Sequence, residues 1–321
     1  MRAIQVSENG GPEALRLTEV PDPQAGPGQL LVETEAIGVN FIDTYIRTGF
    51  YPTPLPYIPG AEGTGVVTAL GAGVSDFQVG DRVAWATAPG SYAEKVLVPA
   101  AFAVPVPAGV AAPVAASALL QGMTAHYLIE SIYKPEPGET VLVHAGAGGV
   151  GLILTQLLAH RGVRVITTVS TDDKEKLSRD AGAAEVLRYD DEIAARVREL
   201  TAGAGVAAAY DGVGKSTFEA SLASVRVRGM LALYGAASGP VPPFDLQRLN
   251  PAGSLFVTRP TLAHYIRDRD ELLWRSGDIM NAIADGSLNV RVGASYPLAH
   301  AEQAHRDLEA RKTTGSVVLL P

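Results

Sequence analysis

The amino-acid sequence predicts an α/β chain in which a doubly wound parallel sheet is joined to a second, mainly β domain. Three observations support this fold class. Short strand-like runs fill the first third of the chain, strand and helix patterns alternate through its middle, and a glycine-rich turn opens that middle region. A chain of 321 residues is long enough for two such domains.

The first 110 or so residues alternate short apolar runs with turn residues, which is typical of a barrel-like β domain. The predicted strands cover residues 29–39, 65–70, 82–86 and 92–98. Proline is dense in residues 51–60, so this stretch is predicted to be a rigid loop. Residues 111–132, rich in Ala and Leu, predict a helix.

From residue 140 onwards strand and helix patterns alternate. The predicted strands cover residues 140–143, 163–169, 185–187, 207–210 and 230–234. Strands linked by helical crossovers form a parallel sheet with right-handed connections. Another strand-like run at 254–258 is followed by a helical region at 262–285, a helix at 299–311 and a strand at 316–320. We expect this tail to rejoin the first domain, so the predicted domains are 1–117 with 262–321, and 118–261.

The glycine-rich turn belongs to the segment Thr140 to Gly151, which reads T-V-L-V-H-A-G-A-G-G-V-G. By itself the spacing G-x-G-x-x-G fits an ordinary turn equally well, but here a buried strand precedes it and an apolar helix follows. These flanks predict a Rossmann dinucleotide-binding turn. We expect Gly146 to allow the tight turn, Gly148 to let the backbone approach a pyrophosphate, and Gly151 to let the helix pack closely.

Composition argues against several classes of function. The formal net charge of −8 disfavours binding to nucleic acid or an anionic membrane. The chain has no cysteine, which excludes disulfides, thiolate nucleophiles and Cys-rich zinc sites. No apolar run reaches the about 18 residues of a membrane span, and no signal-peptide pattern is present. We therefore expect a cytoplasmic protein.

Several ordered motifs make the chain similar to the medium-chain dehydrogenase/reductase superfamily. It resembles in particular the zinc-free NADPH:quinone oxidoreductase branch that includes ζ-crystallin. Besides the glycine turn, the motifs are residues 38–45 (G-V-N-F-I-D-T-Y), 59–67 (P-G-A-E-G-T-G-V-V), 79–83 (V-G-D-R-V) and 255–260 (L-F-V-T-R-P). The resemblance spans nearly the whole chain. It implies a Rossmann domain, a GroES-like mainly β catalytic domain, NADPH as cofactor and a homodimer.

Two positions separate the chain from the alcohol-dehydrogenase branch. In that branch a zinc-binding Cys stands where this chain has Asn40, and a zinc-binding His stands where it has Ala61. None of the six histidines shows the spacing of an HExxH site. We therefore expect no metal, and hydride transfer that is independent of zinc.

The residues after the second predicted strand bear on the choice between NADPH and NADH. The resemblance aligns Ser170, Lys174 and Tyr189 with residues that hold the adenosine phosphate, and so it favours NADPH; by itself Lys174 would be interpreted as a solvated surface lysine. Lys174 falls one turn into the next helix, where its ammonium can pair with a 2′-phosphate. Asp172 and Asp173 are interpreted as a helix cap and first-turn acids, with ribose binding as the alternative. The resemblance implies the following cofactor-binding residues: Asn40, Phe41, Tyr45, Thr124, Gly148, Gly149, Val150, Ser170, Lys174, Tyr189, Gly235, Ala236, Phe256, Val257, Thr258 and Arg311.

The predicted catalytic residues are Asn40, Tyr45 and Tyr51, in the expected cleft between the domains. Without zinc, reduction needs the nicotinamide held close to the acceptor and a donor for the oxygen that gains charge. The two tyrosines can donate a hydroxyl and stack on a flat ring, although either could be structural, with water as the proton source. Gln121 is a further candidate for contact with the substrate, and Asp43 for a helix cap or for orienting Tyr45.

The sequence predicts reduction of a quinone or another small planar electron acceptor. Reduction of α,β-unsaturated aldehydes or ketones is the alternative, since the same cleft could deliver hydride to a carbon β to a carbonyl. An alternative of another class is an NADPH-stabilised structural or RNA-binding protein related to crystallins. The apolar run 254–258 lies near a predicted sheet edge that needs cover, and a two-fold partner would supply it.

Overall fold

The computed structural model describes residues 1–189 and 192–321. These residues divide into two units, Met1–Met123 with Ile266–Pro321, and Thr124–Tyr265. The sequence predicts the changes of domain after residues 117 and 261 instead. The first division falls inside the helix Ala112–Tyr127, so no break in composition marks it.

Fifteen strands and eight α-helices are assigned within the described residues. The strands are β1 (Arg2–Gln5), β2 (Arg16–Glu19), β3 (Gln29–Val39), β4 (Glu62–Leu70), β5 (Arg82–Trp85), β6 (Lys95–Pro99), β7 (Val104–Pro105), β8 (Thr140–Val143), β9 (Arg164–Val169), β10 (Glu185–Arg188), β11 (Val206–Asp211), β12 (Val225–Leu233), β13 (Phe256–Thr258), β14 (Val292–Pro297) and β15 (Ser316–Leu320). The helices are α1 (Phe41–Arg47), α2 (Ala112–Tyr127), α3 (Gly149–His160), α4 (Asp172–Asp180), α5 (Ile193–Leu200), α6 (Phe218–Ser224), α7 (Arg269–Ala284) and α8 (Ala301–Glu309).

The first unit is built on a mixed sheet of order β14-β15-β3-β4-β5-β7, with β6 also paired to β3. β15 pairs antiparallel with β3, so the prediction that the tail rejoins the first domain is confirmed. The β3–β4 register places Gly38 opposite Glu62, which matters for the site below. Apolar residues from β1, β3, β15 and α8 form one core of this unit, and residues from β3 to β6 form another.

The second unit contains the predicted parallel sheet, with strand order β10-β9-β8-β11-β12-β13. The first strand along the chain, β8, is central, and the order reverses beside it, as in a doubly wound dinucleotide-binding fold. Its strands are apolar and mostly buried on both faces, which explains why the sequence shows continuous runs rather than alternation. The α/β fold class is confirmed.

Several boundaries differ from the sequence predictions. The strand predicted at 92–98 begins only at Lys95, because the N–H of Tyr92 is bonded to the Pro59 carbonyl in a loop. The helix predicted at 111–132 ends as a π-helical turn over Leu128–Ile132. Residues 262–285 hold a short 3-10 turn before α7, which begins where the Asp268 side chain accepts from the Glu271 N–H.

Residues 51–60 form a loop, as predicted, and Tyr57 makes one isolated bridge to Val6. No helix in the described part of the chain is both long and apolar enough to cross a bilayer.

Candidate active site

The glycine-rich turn connects β8 to α3, but one glycine acts differently from the prediction. The left-handed backbone of the turn belongs to Ala145, with φ of 55°. A Cβ on Gly146 would lie 2.6 Å from Thr167 Cβ and 2.7 Å from Ser178 Oγ. Gly146 is thus required by close packing against β9 and α4, and the expectation that it makes the tight turn is corrected.

Gly148 and Gly151 differ in what surrounds them. A Cβ on Gly151 would lie 2.2 Å from the Ala145 carbonyl oxygen, so α3 can approach the turn only because this residue has no side chain. A Cβ on Gly148 would find nothing nearer than that same oxygen, at 3.3 Å. Gly148 is the N-cap of α3, where the first N–H groups have no acceptor within the helix. The space beside Gly148 and these N–H groups together suit an anion such as a pyrophosphate.

Other predicted cofactor residues lie at the same edge of the sheet, because the carboxyl ends of parallel strands meet there. Ser170 follows β9, Tyr189 follows β10, and Gly235 with Ala236 follow β12. A Cβ on Gly235 would lie 2.3 Å from the Gly212 carbonyl oxygen, so the backbones beyond β11 and β12 are closely packed. Phe256, Val257 and Thr258 form β13 at the end of the sheet, and the Phe256 side chain is 58% exposed.

A cluster of charges surrounds the end of β9. Lys174 Nζ lies 3.4 Å from Ser170 Oγ, and the Thr171 hydroxyl caps α4 by accepting from the Lys174 N–H. Asp172 is a first-turn acid, and its carboxylate accepts from Arg188 Nη2 at 2.6 Å. Asp173 also lies in the first turn. The interpretation of the two acids as first-turn residues is therefore confirmed, while the cap is Thr171.

Tyr189 holds the glycine turn directly. Its hydroxyl accepts from the Ala145 N–H at 2.9 Å, and its ring lies nearly parallel to that of His144, with centroids 6.3 Å apart. Sequence reasoning assigned Tyr189 only to the adenosine phosphate. The structure shows a hydrogen bond between Tyr189 and the backbone of the left-handed Ala145, while the role of Tyr189 toward the adenosine phosphate stays a prediction.

Asp211 is a buried residue that sequence reasoning missed. At the end of β11, its carboxylate accepts from the N–H groups of Val213 and Gly214 and from the hydroxyls of Thr217 and Ser221, at 2.7–2.9 Å. Ser221 Oγ also lies 2.9 Å from Nε2 of His144, and burial lowers the pKa of that imidazole. This network fixes the end of β11 beside the strand that carries the turn.

In the first unit, three of the predicted site residues belong to one aromatic cluster. Phe41 and Tyr45 lie on α1 with ring centroids 5.7 Å apart, and Tyr45 meets Tyr51 edge-on, also at 5.7 Å. Phe50, which was not predicted, packs against both tyrosines. Phe50 and Tyr51 are 49% and 38% exposed, so the cluster offers an accessible apolar surface. Flat rings stack on such surfaces.

Asn40 lies beside this cluster but is buried, and its Oδ1 and one of its Nδ2–H groups take part in a hydrogen-bond chain, which we call the Glu62 chain. Ser316 Oγ donates to Gln121 Oε1 at 2.7 Å, Gln121 Nε2 donates to Asn40 Oδ1 at 3.1 Å, and Asn40 Nδ2 donates to Glu62 Oε2 at 2.6 Å. The Leu120 N–H donates to Glu62 Oε1 at 2.7 Å. Burial raises the pKa of Glu62 to about 8. Sequence reasoning named Asn40 and Gln121 but gave no role to Glu62.

Asp43 begins a second buried network. Its Oδ2 accepts from the Asn40 N–H at 2.8 Å and from the Tyr92 hydroxyl at 2.9 Å, so Asp43, the third residue of α1, forms a capping box with the N-cap residue Asn40. Burial raises the pKa of Asp43 to about 6. Tyr92 OH lies 3.0 Å from His305 Nε2, and Arg47 Nη1 donates to His305 Nδ1 at 2.9 Å. His305 is thus neutral with its proton on Nε2, and burial lowers its pKa to about 3.

Two predicted cofactor residues remain. Thr124 is a buried residue of α2, and Arg311 is an exposed residue just beyond α8, with a left-handed φ of 58°. Their roles, like those of the other predicted cofactor residues, stay predictions.

Comparison with known proteins places this site in a family. Residues 26–108 match the alcohol dehydrogenase GroES-like domain, and residues 149–271 match the zinc-binding dehydrogenase domain. A quinone oxidoreductase from Pseudomonas aeruginosa is 44% identical over 323 aligned positions, covering 100% of this chain and 99% of that protein. The chain belongs to the quinone oxidoreductases of the medium-chain dehydrogenase/reductase superfamily. The predicted resemblance is confirmed.

Other relatives of this quinone oxidoreductase also align with it over nearly the full length of both chains. A mycobacterial protein solved in complex with NADPH is 59% identical, with a TM-score of 0.98 and full coverage of both chains. A 2-haloacrylate reductase from Burkholderia is 41% identical, covering 99% of this chain and 98% of that protein.

Proposed function

We propose that this chain transfers hydride from NADPH to a quinone. The observation that carries the proposal is the full-length identity of 44% to a quinone oxidoreductase, in a chain whose glycine turn leaves room for a pyrophosphate at Gly148. The relative solved with NADPH supports that cofactor.

NADPH would be held by the turn and by the residues beyond β9 and β10. The N–H groups of Gly149 and Val150 open α3 and would meet the pyrophosphate, while Ser170 and Lys174 would meet the 2′-phosphate. Tyr189 would support the turn from the adenosine side. The remaining cofactor residues named from the sequence are part of the same proposal: Asn40, Phe41, Tyr45, Thr124, Gly235, Ala236, Phe256, Val257, Thr258 and Arg311.

At the reacting centre the cofactor supplies the hydride, and the chain positions the acceptor and stabilises the charge on its oxygen. The exposed cluster of Tyr45 and Tyr51 suits a flat ring, and the amide of Asn40 is a donor for the oxygen. We propose that this occurs without zinc. That is supported by the complete lack of cysteine and by the use of the Asn40 side chain in hydrogen bonds to Glu62 and Gln121.

A second candidate function is reduction of conjugated carbonyl compounds. The relative named 2-haloacrylate reductase favours it, because a haloacrylate is an alkene conjugated to a carboxylate. The predicted structural or RNA-binding role has no comparable support, and the predicted cytoplasmic location stays a prediction.

We expect the purified protein to oxidise NADPH faster with 1,4-benzoquinone than with a short 2-alkenal. The double variant Tyr45→Phe, Tyr51→Phe should keep quinone turnover within about threefold of the wild-type rate, because the rings remain and water can supply the proton. Ala at both positions should raise the KM for the quinone by removing the ring contacts. Faster turnover of the alkenal would favour the second candidate. A rise in Tm with NADPH but no NADPH consumption with either acceptor would indicate a binding protein.

We also propose a homodimer formed along the outer side of β13. Among the described strands only β12 pairs with β13, and Val227 on β12 and Phe256 on β13 are 68% and 58% exposed. Leu246, in the short 3-10 turn that precedes β13 in the chain, is 70% exposed. An apolar sheet edge of this kind needs cover.

The double variant Val227→Asp, Leu246→Asp should be a monomer of 33.5 kDa rather than a dimer. Light scattering on a size-exclusion column measures the mass. Val79→Asp is the control, since Val79 is 62% exposed in the other unit and its replacement should leave the mass unchanged. A wild-type protein that elutes as a monomer at micromolar concentration would contradict the proposal.

A further inference from the structure

The Glu62 chain has a single direction. Each link donates toward Glu62, from Ser316 through Gln121 and Asn40, and the Leu120 N–H occupies the other carboxylate oxygen. A carboxylate only accepts, whereas an amide can turn and exchange its donor and acceptor ends. Glu62 therefore determines which end of the Asn40 amide faces which neighbour. The four residues that contribute side chains are all at least nine-tenths buried.

We propose that Glu62 is a positioning residue for hydride transfer: through this chain it orients the Asn40 amide so that its second Nδ2–H donates to the acceptor oxygen that gains charge. The first Nδ2–H is used by Glu62 itself, and Oδ1 is used by Gln121. The inference rests on the proposed function and on the proposed role of Asn40 within it. A preoriented donor stabilises developing charge without reorganising during the reaction.

Stability alone does not explain a carboxyl at this position. Glu62 has no accessible surface, and within residues 1–189 and 192–321 no cation forms an ion pair with it. A buried carboxylate without a cation opposes folding. The neighbouring strand also accommodates it, since a Cβ on Gly38 would lie 2.5 Å from Glu62 Oε2. Gly38 leaves space for the Glu62 side chain, and burial of that side chain opposes folding. Both features serve to place one hydrogen-bond acceptor beside Asn40.

The test is Glu62→Gln, which keeps the shape of the side chain. The new amide can accept from the Leu120 N–H with its oxygen, but its NH₂ then faces Asn40. Asn40 and Gln121 satisfy their hydrogen bonds again by turning their amides, with Ser316 Oγ as the final acceptor. The variant should therefore fold, with the direction of donation along the Glu62 chain reversed. Above pH 8, where Glu62 of the wild type is ionised, we expect kcat with benzoquinone to fall about tenfold, and the KM for NADPH to stay within about twofold.

A double-mutant cycle shows whether Glu62 acts through Asn40. Asn40→Ala should lower kcat by at least as much as Glu62→Gln, and adding Glu62→Gln to Asn40→Ala should have no further effect. Thr64→Val is the matched control, because it removes one buried hydrogen bond, to the Val83 carbonyl, two residues along the same strand. Its kcat should be unchanged.

The other outcomes of these experiments distinguish failure of the inference from failure of the proposed function. Normal kcat in a folded Glu62→Gln, or additive losses in the double variant, would overturn the inference while leaving the proposed reaction intact. Normal kcat in Asn40→Ala would remove the role of Asn40 and overturn the inference with it. A wild-type protein that does not reduce quinones with NADPH would instead refute the proposed function, and the inference would fall with it.

The pH profile of the wild-type protein gives a second readout. Burial raises the pKa of Glu62 to about 8, with a smaller contribution from the charge of Asp43 on α1. Around Glu62, β3 presents Gly38, while α2 presents the Ala116 carbonyl and the Leu119 and Leu120 N–H groups. Loss of the proton restores an acceptor to Asn40, so the wild-type kcat should rise as pH increases through about 8. Glu62→Gln should lack this rise, and a wild-type profile that is flat there would contradict the inference.

Discussion

Gly148→Ala is expected to weaken NADPH binding about 100-fold, which corresponds to about 2.7 kcal/mol, while leaving the fold intact. In the protein alone the nearest atom to the new methyl group is the Ala145 carbonyl oxygen, at 3.3 Å, and a shift of a few tenths of an ångström relieves that contact. The methyl group would, however, fill the space through which a pyrophosphate reaches the N–H groups of α3. Isothermal calorimetry measures the Kd, and a thermal melt without cofactor should give a Tm close to that of the wild type.

The matched control is Gly151→Ala, three residues further along the chain, in the first turn of α3. Here the methyl group would lie 2.2 Å from the Ala145 carbonyl oxygen, which is far inside van der Waals contact, so α3 must move. We expect a clear loss of Tm even without NADPH, because the clash is with backbone rather than with a flexible side chain. If Gly148→Ala bound NADPH as tightly as the wild type, the cofactor would not approach the turn at this residue.

The contrast between these two glycines shows where sequence reasoning works. The strand, the turn and the helix are local features, and their apolar periodicity and glycine spacing can be read from a dozen consecutive residues. The sheet order follows from the same local pattern, because right-handed crossovers leave few alternatives. Gly146 is the exception. Its reason lies in Thr167 and Ser178, which reach it from later in the chain.

The buried polar networks could not be predicted in the same way. Glu62 is joined to Asn40, Gln121 and Ser316, residues from four separate parts of the chain, and Asp211 is joined to His144 only through Ser221. No spacing rule connects such residues, since it is the fold that brings them together. The resemblance to known enzymes supplied Asn40, but a motif names residues without showing which neighbour sets the orientation of a side chain.

β14 was missed for a related reason. Its six residues include Gly293 and Pro297, which weaken a strand pattern, and its partner β15 lies about twenty residues later. A Cβ on Gly293 would lie 1.7 Å from the Thr314 carbonyl oxygen, so the glycine is there because another segment approaches it closely. A residue that reads as a strand breaker is thus required by the packing of this strand.

Lys174→Ala is expected to raise the KM for NADPH about 20-fold, equivalent to about 1.8 kcal/mol, and to leave the KM for NADH unchanged. The ammonium lies 3.4 Å from Ser170 Oγ at the end of β9, where the 2′-phosphate is proposed to bind. The nearby carboxylates of Asp172 and Glu175 are both paired with Arg188, which reduces their repulsion of a phosphate. Steady-state kinetics with each cofactor in turn provides the measurement.

Lys176→Ala is the control for the general effect of charge. Lys176 lies on the same helix, two residues further on, and its ammonium is paired with Asp180 at 2.7 Å. Its removal changes the net charge equally, so a long-range effect would raise the KM for NADPH in both variants. If the Lys174 ammonium pairs directly with the phosphate, only Lys174→Ala should raise the KM for NADPH. This rise should become smaller as added salt shortens the Debye length below about 10 Å. An unchanged ratio of the two KM values in Lys174→Ala would mean that NADPH is selected elsewhere in the site.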